Sequence, residues 1–188
     1  MKIFFALLHY PVIDKNGKTV VTSITNTDIH DLSRLAKTFE IERFFLVTPL
    51  KTQIHLCQRL MKHWITGFGA GYNCTRKEAI ERLTVVSSFN CLVGSLMRES
   101  GEKPVFIATS AKQHTTSINY DNMRKLISAA NKSFVLLFGT GWGIHSDILK
   151  QSDYILEPIY GINDYNHLSV RCAAAIILDR LLSEQSVK

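Results

Sequence analysis

The chain switches between two hydrophobic periods along its length, and that alternation limits what it can fold into. Short apolar runs alternate with segments whose apolar residues recur every three or four positions. Lys2–His9 reads as a buried strand and Thr19–Ile24 as a β-branched one. Asp28–Phe39 carries Ile29, Leu32, Leu35, Ala36 and Phe39 at helical spacing. Ile41–Thr48 is strand-like and closed by Pro49, and Gln53–Ile65 is helical. Strands over 84–89, 104–109, 133–138 and 154–159 then alternate with helices over 91–98, 120–130 and 165–182. Such alternation predicts the α/β class, a parallel sheet with helices on both faces. Its 188 residues suit one domain spanning 1–188. Ligands of parallel sheets bind beyond the carboxyl ends of the strands. The loops after Thr48, Phe89, Thr109, Phe138 and Ile159 are therefore where chemistry is sought.

Composition removes several classes of function. A 46% apolar and 20% charged chain is not intrinsically disordered. Its longest apolar runs, such as Phe134–Phe138 and Cys172–Leu178, are too short to cross a bilayer, so no membrane partner is expected. MKIFFALLHY at the N-terminus lacks a small-residue cleavage pattern and runs into Pro11, so it reads as a buried strand rather than an export signal. A cytoplasmic location and reduced Cys57, Cys74, Cys91 and Cys172 are expected. With no CxxC, HExxH or HxxxH spacing, no metal site is expected. The excess of 22 Lys and Arg over 16 Asp and Glu, a net charge of +6, weakly favours a polyanionic partner.

Three of the loops are informative. Gly139-Thr140-Gly141-Trp142-Gly143 follows a strand, and its glycines let the backbone turn sharply and approach a ligand. Ile159–Asp164 leads into Tyr165-Asn166-His167-Leu168-Ser169-Val170-Arg171, and Thr109 opens the stretch to His114. A further glycine-rich stretch, Gly67–Asn73, follows a helix. One reading of the Gly139 loop is a nicotinamide dinucleotide site in an oxidoreductase, with Glu157 as the ribose-binding acid. Against it, the third glycine falls one place early and Ile144 holds the fingerprint position. His145–Ser152 is also too short for the usual crossover helix, and too little chain follows for a second mononucleotide half. A turn that needs glycine for geometry alone is the other alternative.

At these loops the chain resembles the SPOUT class of S-adenosylmethionine-dependent RNA methyltransferases. Leu136–Gly143 is similar to their second motif, and Leu156–Gly161 followed by His167–Val170 to the third. Thr22–Arg34 followed by Phe39-Glu40-Ile41 is similar to the first. The HYP element at His9–Pro11, the HDxxR element at His30–Arg34 and the YNHLSVR element at Tyr165–Arg171 resemble a small single-domain bacterial branch related to the tRNA guanine-N1 methyltransferases. The resemblance implies a C-terminal deep trefoil knot within about residues 104–182 and S-adenosylmethionine bent into it. It also implies a homodimer with its active site at the subunit interface, and RNA, most readily tRNA, as substrate. A catalytically degenerate relative that binds RNA or the donor without turnover is the non-enzyme alternative.

The resemblance also implies roles. Donor binding falls to Thr109, Phe138, Gly139, Gly141, Trp142, Gly143, Ile159, Gly161, His167, Leu168 and Ser169. Trp142 walls the pocket or simply packs. Arg34 orients the target nucleotide or stabilises its developing charge; a surface ion pair is its other reading. Asn26 and His30 share the helix face of Arg34 and are assigned, with Arg171, to RNA; exposed Lys112 and Arg76 and the Gly67–Asn73 loop are further candidate RNA contacts, each equally a solvated surface group. Asp28 and Asp164 are the base candidates. Asp28 is equally an early-turn residue, Asp164 a cap of the last helix, and Arg171 a partner for Asp164 or Glu157.

Overall fold

The computed structural model describes residues 2–163 and 165–183; Asp164, expected above as base or cap, lies outside the described residues. The chain opens with β1 (Ile3–Leu8), β2 (Val12–Ile13), β3 (Thr19–Val20) and α1 (Asn26–Thr38). It continues through β4 (Arg43–Val47), α2 (Lys51–Ile65), α3 (Phe68–Tyr72), α4 (Cys74–Ile80) and β5 (Leu83–Val86). Then come α5 (Phe89–Ser100), β6 (Val105–Ala108), β7 (Ser117–Ile118) and α6 (Tyr120–Ala129). β8 (Phe134–Gly139), α7 (Ser146–Gln151), β9 (Tyr154–Leu156) and α8 (Val170–Leu182) close the described chain.

Seven strands form one parallel sheet in the order β5-β4-β1-β8-β6-β9-β7. β1 is an interior strand, between β4 and β8, and both of its faces are covered. Phe5 and Leu7 pack with Ile29, Leu32, Met123 and Leu178, under helices α1, α6 and α8. Phe4, Ala6 and Leu8 pack with Leu92, Leu96 and Ile148, under α5 and α7. A strand buried on both sides must be apolar at every position, which is why Lys2–His9 shows no alternation. Truncating a side chain such as Phe5 would cost about 3–5 kcal/mol.

Local chemistry sets the element ends. Thr25 caps α1, accepting from the Asp28 backbone N–H, while the Asp28 carboxylate accepts from the Thr25 N–H in return. Ser88 caps α5, and Gly101 at φ +77° ends it. Because Ser88 is spent on that cap, β5 stops at Val86 and the predicted strand over 84–89 is shorter.

Other boundaries differ for similar reasons. Only Thr19 and Val20 of the predicted strand pair, and they pair with β2 in a small antiparallel ribbon outside the main sheet. Thr22 N–H donates instead to His9 C=O, and Ile24 N–H to Gln53 Oε1. The final helix begins at Val170 rather than Tyr165. Ser169 is its cap, accepting from Cys172 N–H, and the Asn166 side chain is drawn away to Ala111 C=O at 2.7 Å. The cap role considered for Asp164 therefore belongs to Ser169. His145–Ser152 does hold a helix, the short α7, capped by His145. Gly67–Asn73 is not a loop but contains α3. Among the described residues, no helix is long and apolar enough to cross a membrane, and no cluster of His, Cys, Asp and Glu could hold a metal ion.

Candidate functional site

β6, β8 and β9 point the same way, with β6 hydrogen-bonded to both of the others, so their carboxyl ends share one edge. That edge gathers Thr109, the loop from Gly139 to Gly143, and residues 159–163 and 165–169. Three contacts tie these segments together. Trp142 and His167 rings meet at 6.4 Å and 63°, Tyr160 donates to Gln113 Oε1 at 2.7 Å, and Asn166 donates to Ala111 C=O. Trp142, Tyr160, Ile162, Tyr165 and Leu168 stand exposed there. A side-by-side set of uncovered apolar groups marks a ligand or partner surface.

Each hydroxyl has a defined remaining capacity. Thr109 Oγ1 donates to Leu137 C=O at 2.9 Å, so it retains acceptor lone pairs. Ser169 Oγ accepts from Cys172 N–H at 3.3 Å, so its own proton is free to donate. Phe138 can offer a ligand only its main chain, since its side chain is buried and meets Phe5 edge-on at 5.9 Å.

The glycine loop is held from below. At Gly139 a Cβ would lie 2.8 Å from the Ile144 backbone nitrogen, and at Gly141 the backbone turns left-handed at φ +61°. Trp142 N–H donates to Ile13 C=O and Ile13 N–H to Gly143 C=O, so β2 braces the loop. Thr140 Oγ1 donates to Leu8 C=O at 3.0 Å and lies 2.5 Å from Thr22 Oγ1, which lies 2.9 Å from His9 Nδ1. Proton counting orders this chain: Thr140 gives its proton to Leu8, Thr22 gives its own to Thr140, and His9 must donate from Nδ1. His9 is 1% exposed, and its Nε2 has no partner. Burial pushes its pKa down to about 4, against the opposing pull of Asp28. The imidazole is therefore neutral at physiological pH. This relay was not legible in the sequence, where His9 was only part of a motif.

Helix α1 carries the second group. Asn26 is exposed at its first position. The Asp28 carboxylate is nearly buried and already engaged. Oδ2 accepts from Thr25 Oγ1 at 2.5 Å, and Oδ1 lies 3.7 Å from Arg171 Nε. Arg171 also reaches Asp31 Oδ2 at 3.7 Å, so it pairs across to α1 and not with Glu157. The Glu157 carboxylate instead accepts from Tyr120 N–H at 3.1 Å, at the start of α6. His30 packs edge-on against Trp64 at 5.5 Å. Burial lowers its pKa first, Arg76 and Arg34 lower it further, and Asp31 opposes them. Arg34 is exposed and lines a cleft of about 260 Å³ with Lys37, Asn73 and Arg76. Sequence reasoning did not join Arg34 to Lys37, Asn73 or Arg76. The link is made by α1 lying against α4, which no local pattern announces.

A family model described as SAM-dependent RNA methyltransferase matches residues 2–183. An uncharacterized protein of Aquifex aeolicus (strain VF5) is 40% identical over 181 residues, 96% of this chain and 88% of its own length. A tRNA (guanine-N(1)-)-methyltransferase of Oleidesulfovibrio alaskensis is 39% identical over 182 residues, 97% of this chain. This chain spans only 42% of that relative. Among solved structures, the A. aeolicus TrmH/SpoU tRNA modifying enzyme superposes with a TM-score of 0.57 at 15% identity, covering 96% of this chain and 73% of its own. At that identity the likeness shows a shared SPOUT-type fold. The nicotinamide reading finds no support: the strand order does not match a dinucleotide-binding sheet, and the family model is that of RNA methyltransferases.

Proposed function

The chain belongs to the family of SAM-dependent RNA methyltransferases, and on that premise we propose that it transfers a methyl group from S-adenosylmethionine to tRNA, with the donor held at the carboxyl ends of β6, β8 and β9. The observation that carries this reading is the meeting of Trp142 and His167 from two separate loops beside Thr109 and Ser169. The residues fit the donor. Exposed Trp142 and Leu168 offer apolar walls for adenine, Ser169 offers a proton and Thr109 offers lone pairs. Gly139, Gly141, Gly143, Ile159 and Gly161 bring backbone close enough to bond polar atoms.

When bound, the donor supplies a methyl group already activated on a sulfonium sulfur. The chain's task is then alignment of the nucleophile and disposal of its proton. Arg34 orients the target nucleotide and stabilises charge that develops on it. Asn26 and His30, on the same helix, flank it. Because Asp28 is engaged by Thr25 and Arg171, its part in this reading is to hold α1 in place. Arg171 then serves RNA indirectly, through that same pair. Asp164 is left as the base candidate from the sequence.

Exposed apolar groups at the site support a homodimer in which one protomer's α1 faces its partner's donor pocket. The reading includes a trefoil knot within residues 104–182, a single domain over 1–188 and a cytoplasmic location. The likeness to the Oleidesulfovibrio tRNA (guanine-N(1)-)-methyltransferase favours tRNA over other RNA.

Calorimetric titration with S-adenosylmethionine, followed by tritiated-methyl transfer onto bulk tRNA and onto ribosomal RNA, tests the proposal. Donor binding with label in tRNA alone is the expected result. Label only in ribosomal RNA overturns the substrate assignment. Donor binding with no transfer to either RNA leaves a degenerate binder.

A further inference from the structure

The glycine-rich stretch after α2 has no place in the donor site, yet it shapes a surface. At Gly69 a Cβ would lie 2.6 Å from Trp64 Cε3, so only glycine lets α3 pack this tightly on α2. With Gly69 turned inward, its neighbours Phe68 and Tyr72 are turned outward, 80% and 77% exposed. Their rings stack on each other, centroids 6.0 Å apart and 21° from parallel. Two large rings left this bare, in a chain that buries eight of its other nine phenylalanines, call for an occupant.

What borders the rings says which occupant. Asn73, next to Tyr72, lines the cleft of about 260 Å³ between α1 and α4, together with Arg34, Lys37, Thr75 and Arg76. Among the described residues no carboxylate lines it. Lys37 pairs with Glu78 at 3.1 Å, but Arg34 and Arg76 form no ion pair among the described residues. Arg76 is held over the Trp64 ring at 4.8 Å, the same ring that Gly69 touches, so cleft and platform share one support. A second copy of an apolar surface would gain nothing from two unpaired guanidinium groups. An RNA strand presents phosphates and flat bases together.

We infer that this face binds an unpaired stretch of the RNA substrate, stacking a base on Phe68 or Tyr72 and leading its phosphates through the Arg34–Arg76 cleft. The inference rests on the proposed RNA methyltransferase function and adds where the strand is gripped. Arg34 lies in that cleft, so a strand gripped there is led toward the helix face that acts on it. Stacking on aromatic rings tolerates any base, so this grip supplies affinity, and sequence selection must come from elsewhere.

The test uses the full chain and a fluorescein-labelled oligouridylate of about 12 nucleotides, within the span of a single-strand site. The double variant Phe68→Ala, Tyr72→Ala is expected to weaken binding about fivefold or more without changing the salt dependence. Arg76→Gln is expected to weaken it and to reduce the salt slope by about 0.7. Both variants keep wild-type affinity for S-adenosylmethionine, and both raise KM for tRNA more than they lower kcat. Wild-type oligonucleotide binding by both variants overturns the inference while leaving the methyltransferase reading standing. Conversion of a dimer to monomers by the double variant, read by sedimentation, also overturns it, since the rings then belong to a subunit interface. A wild-type chain that neither binds RNA nor labels any RNA overturns the underlying function, and this inference with it.

Discussion

Arg171 Nε, in the first turn of α8, stands 3.7 Å from Asp28 Oδ1, in the first turn of α1. The pair joins the segment beside the donor loops to the helix that carries Arg34. The two side chains are 31% and 12% exposed, so the interaction lies between surface and buried limits. Arg171→Ala should lower stability by about 1–2 kcal/mol in urea unfolding. A double-mutant cycle with Asp28→Asn should return a coupling of about 0.5–1 kcal/mol. An Arg171 variant that loses RNA affinity at unchanged stability would instead make it a direct RNA contact.

His9 gives the protein a pH-dependent weakness. Its pKa is about 4 in the fold against an ordinary 6.5. The unfolded chain therefore binds a proton that the folded chain refuses. The contribution is complete above pH 6.5 and is lost as pH falls toward 4, where the loss amounts to about 3 kcal/mol. His9→Gln removes this titration. The gap in unfolding free energy between variant and wild type should move by that amount in the variant's favour on going from neutral pH to about pH 4. A gap that stays constant across the range would remove His9 as the cause.

Gly139→Ala tests whether the donor loop has slack. The added methyl would meet the Ile144 backbone nitrogen at 2.8 Å and Ile144 Cγ1 at 2.7 Å. The nitrogen cannot rotate away, so the loop must shift. A cost of about 1–3 kcal/mol in unfolding is expected, with S-adenosylmethionine binding weakened tenfold or more (about 1.4 kcal/mol) in calorimetry. Unchanged donor affinity would place the donor away from this loop.

Arg34→Ala should separate binding from chemistry. With its guanidinium exposed and off the donor edge, donor affinity should hold while methyl transfer falls about 10²–10³-fold. Arg34→Lys keeps the charge but not the planar fork, so it should recover only part of the rate. Loss of donor affinity in either variant would move Arg34 into the donor pocket.

The sequence disclosed what short-range physics governs. β1 is legible because a strand covered on both faces is apolar throughout, and α1 because its apolar residues keep a helical period. The start of α8 was misread because the Tyr165–Ser169 segment looks helical until the Asn166 side chain is pulled to Ala111, a partner far away in sequence. α7 was missed because six residues are too few to establish a period. The site divides the same way. The donor loops follow strand ends and can be read from glycine spacing. The His9–Thr22–Thr140 relay and the Arg34–Arg76 cleft join segments that meet only when the sheet and its helices are assembled.

The place of β1 between β4 and β8 has a consequence for synthesis. During synthesis β1 gains its β4 neighbour early, but its other edge waits for β8, more than a hundred residues later in the chain. Until then a nascent β5-β4-β1 unit presents an open, apolar edge. Such an edge invites pairing between chains. Chains stopped before Phe134 should accumulate as aggregates rather than as soluble fragments. The same strand that anchors the finished protein is thus the part of the newborn chain most in need of a chaperone.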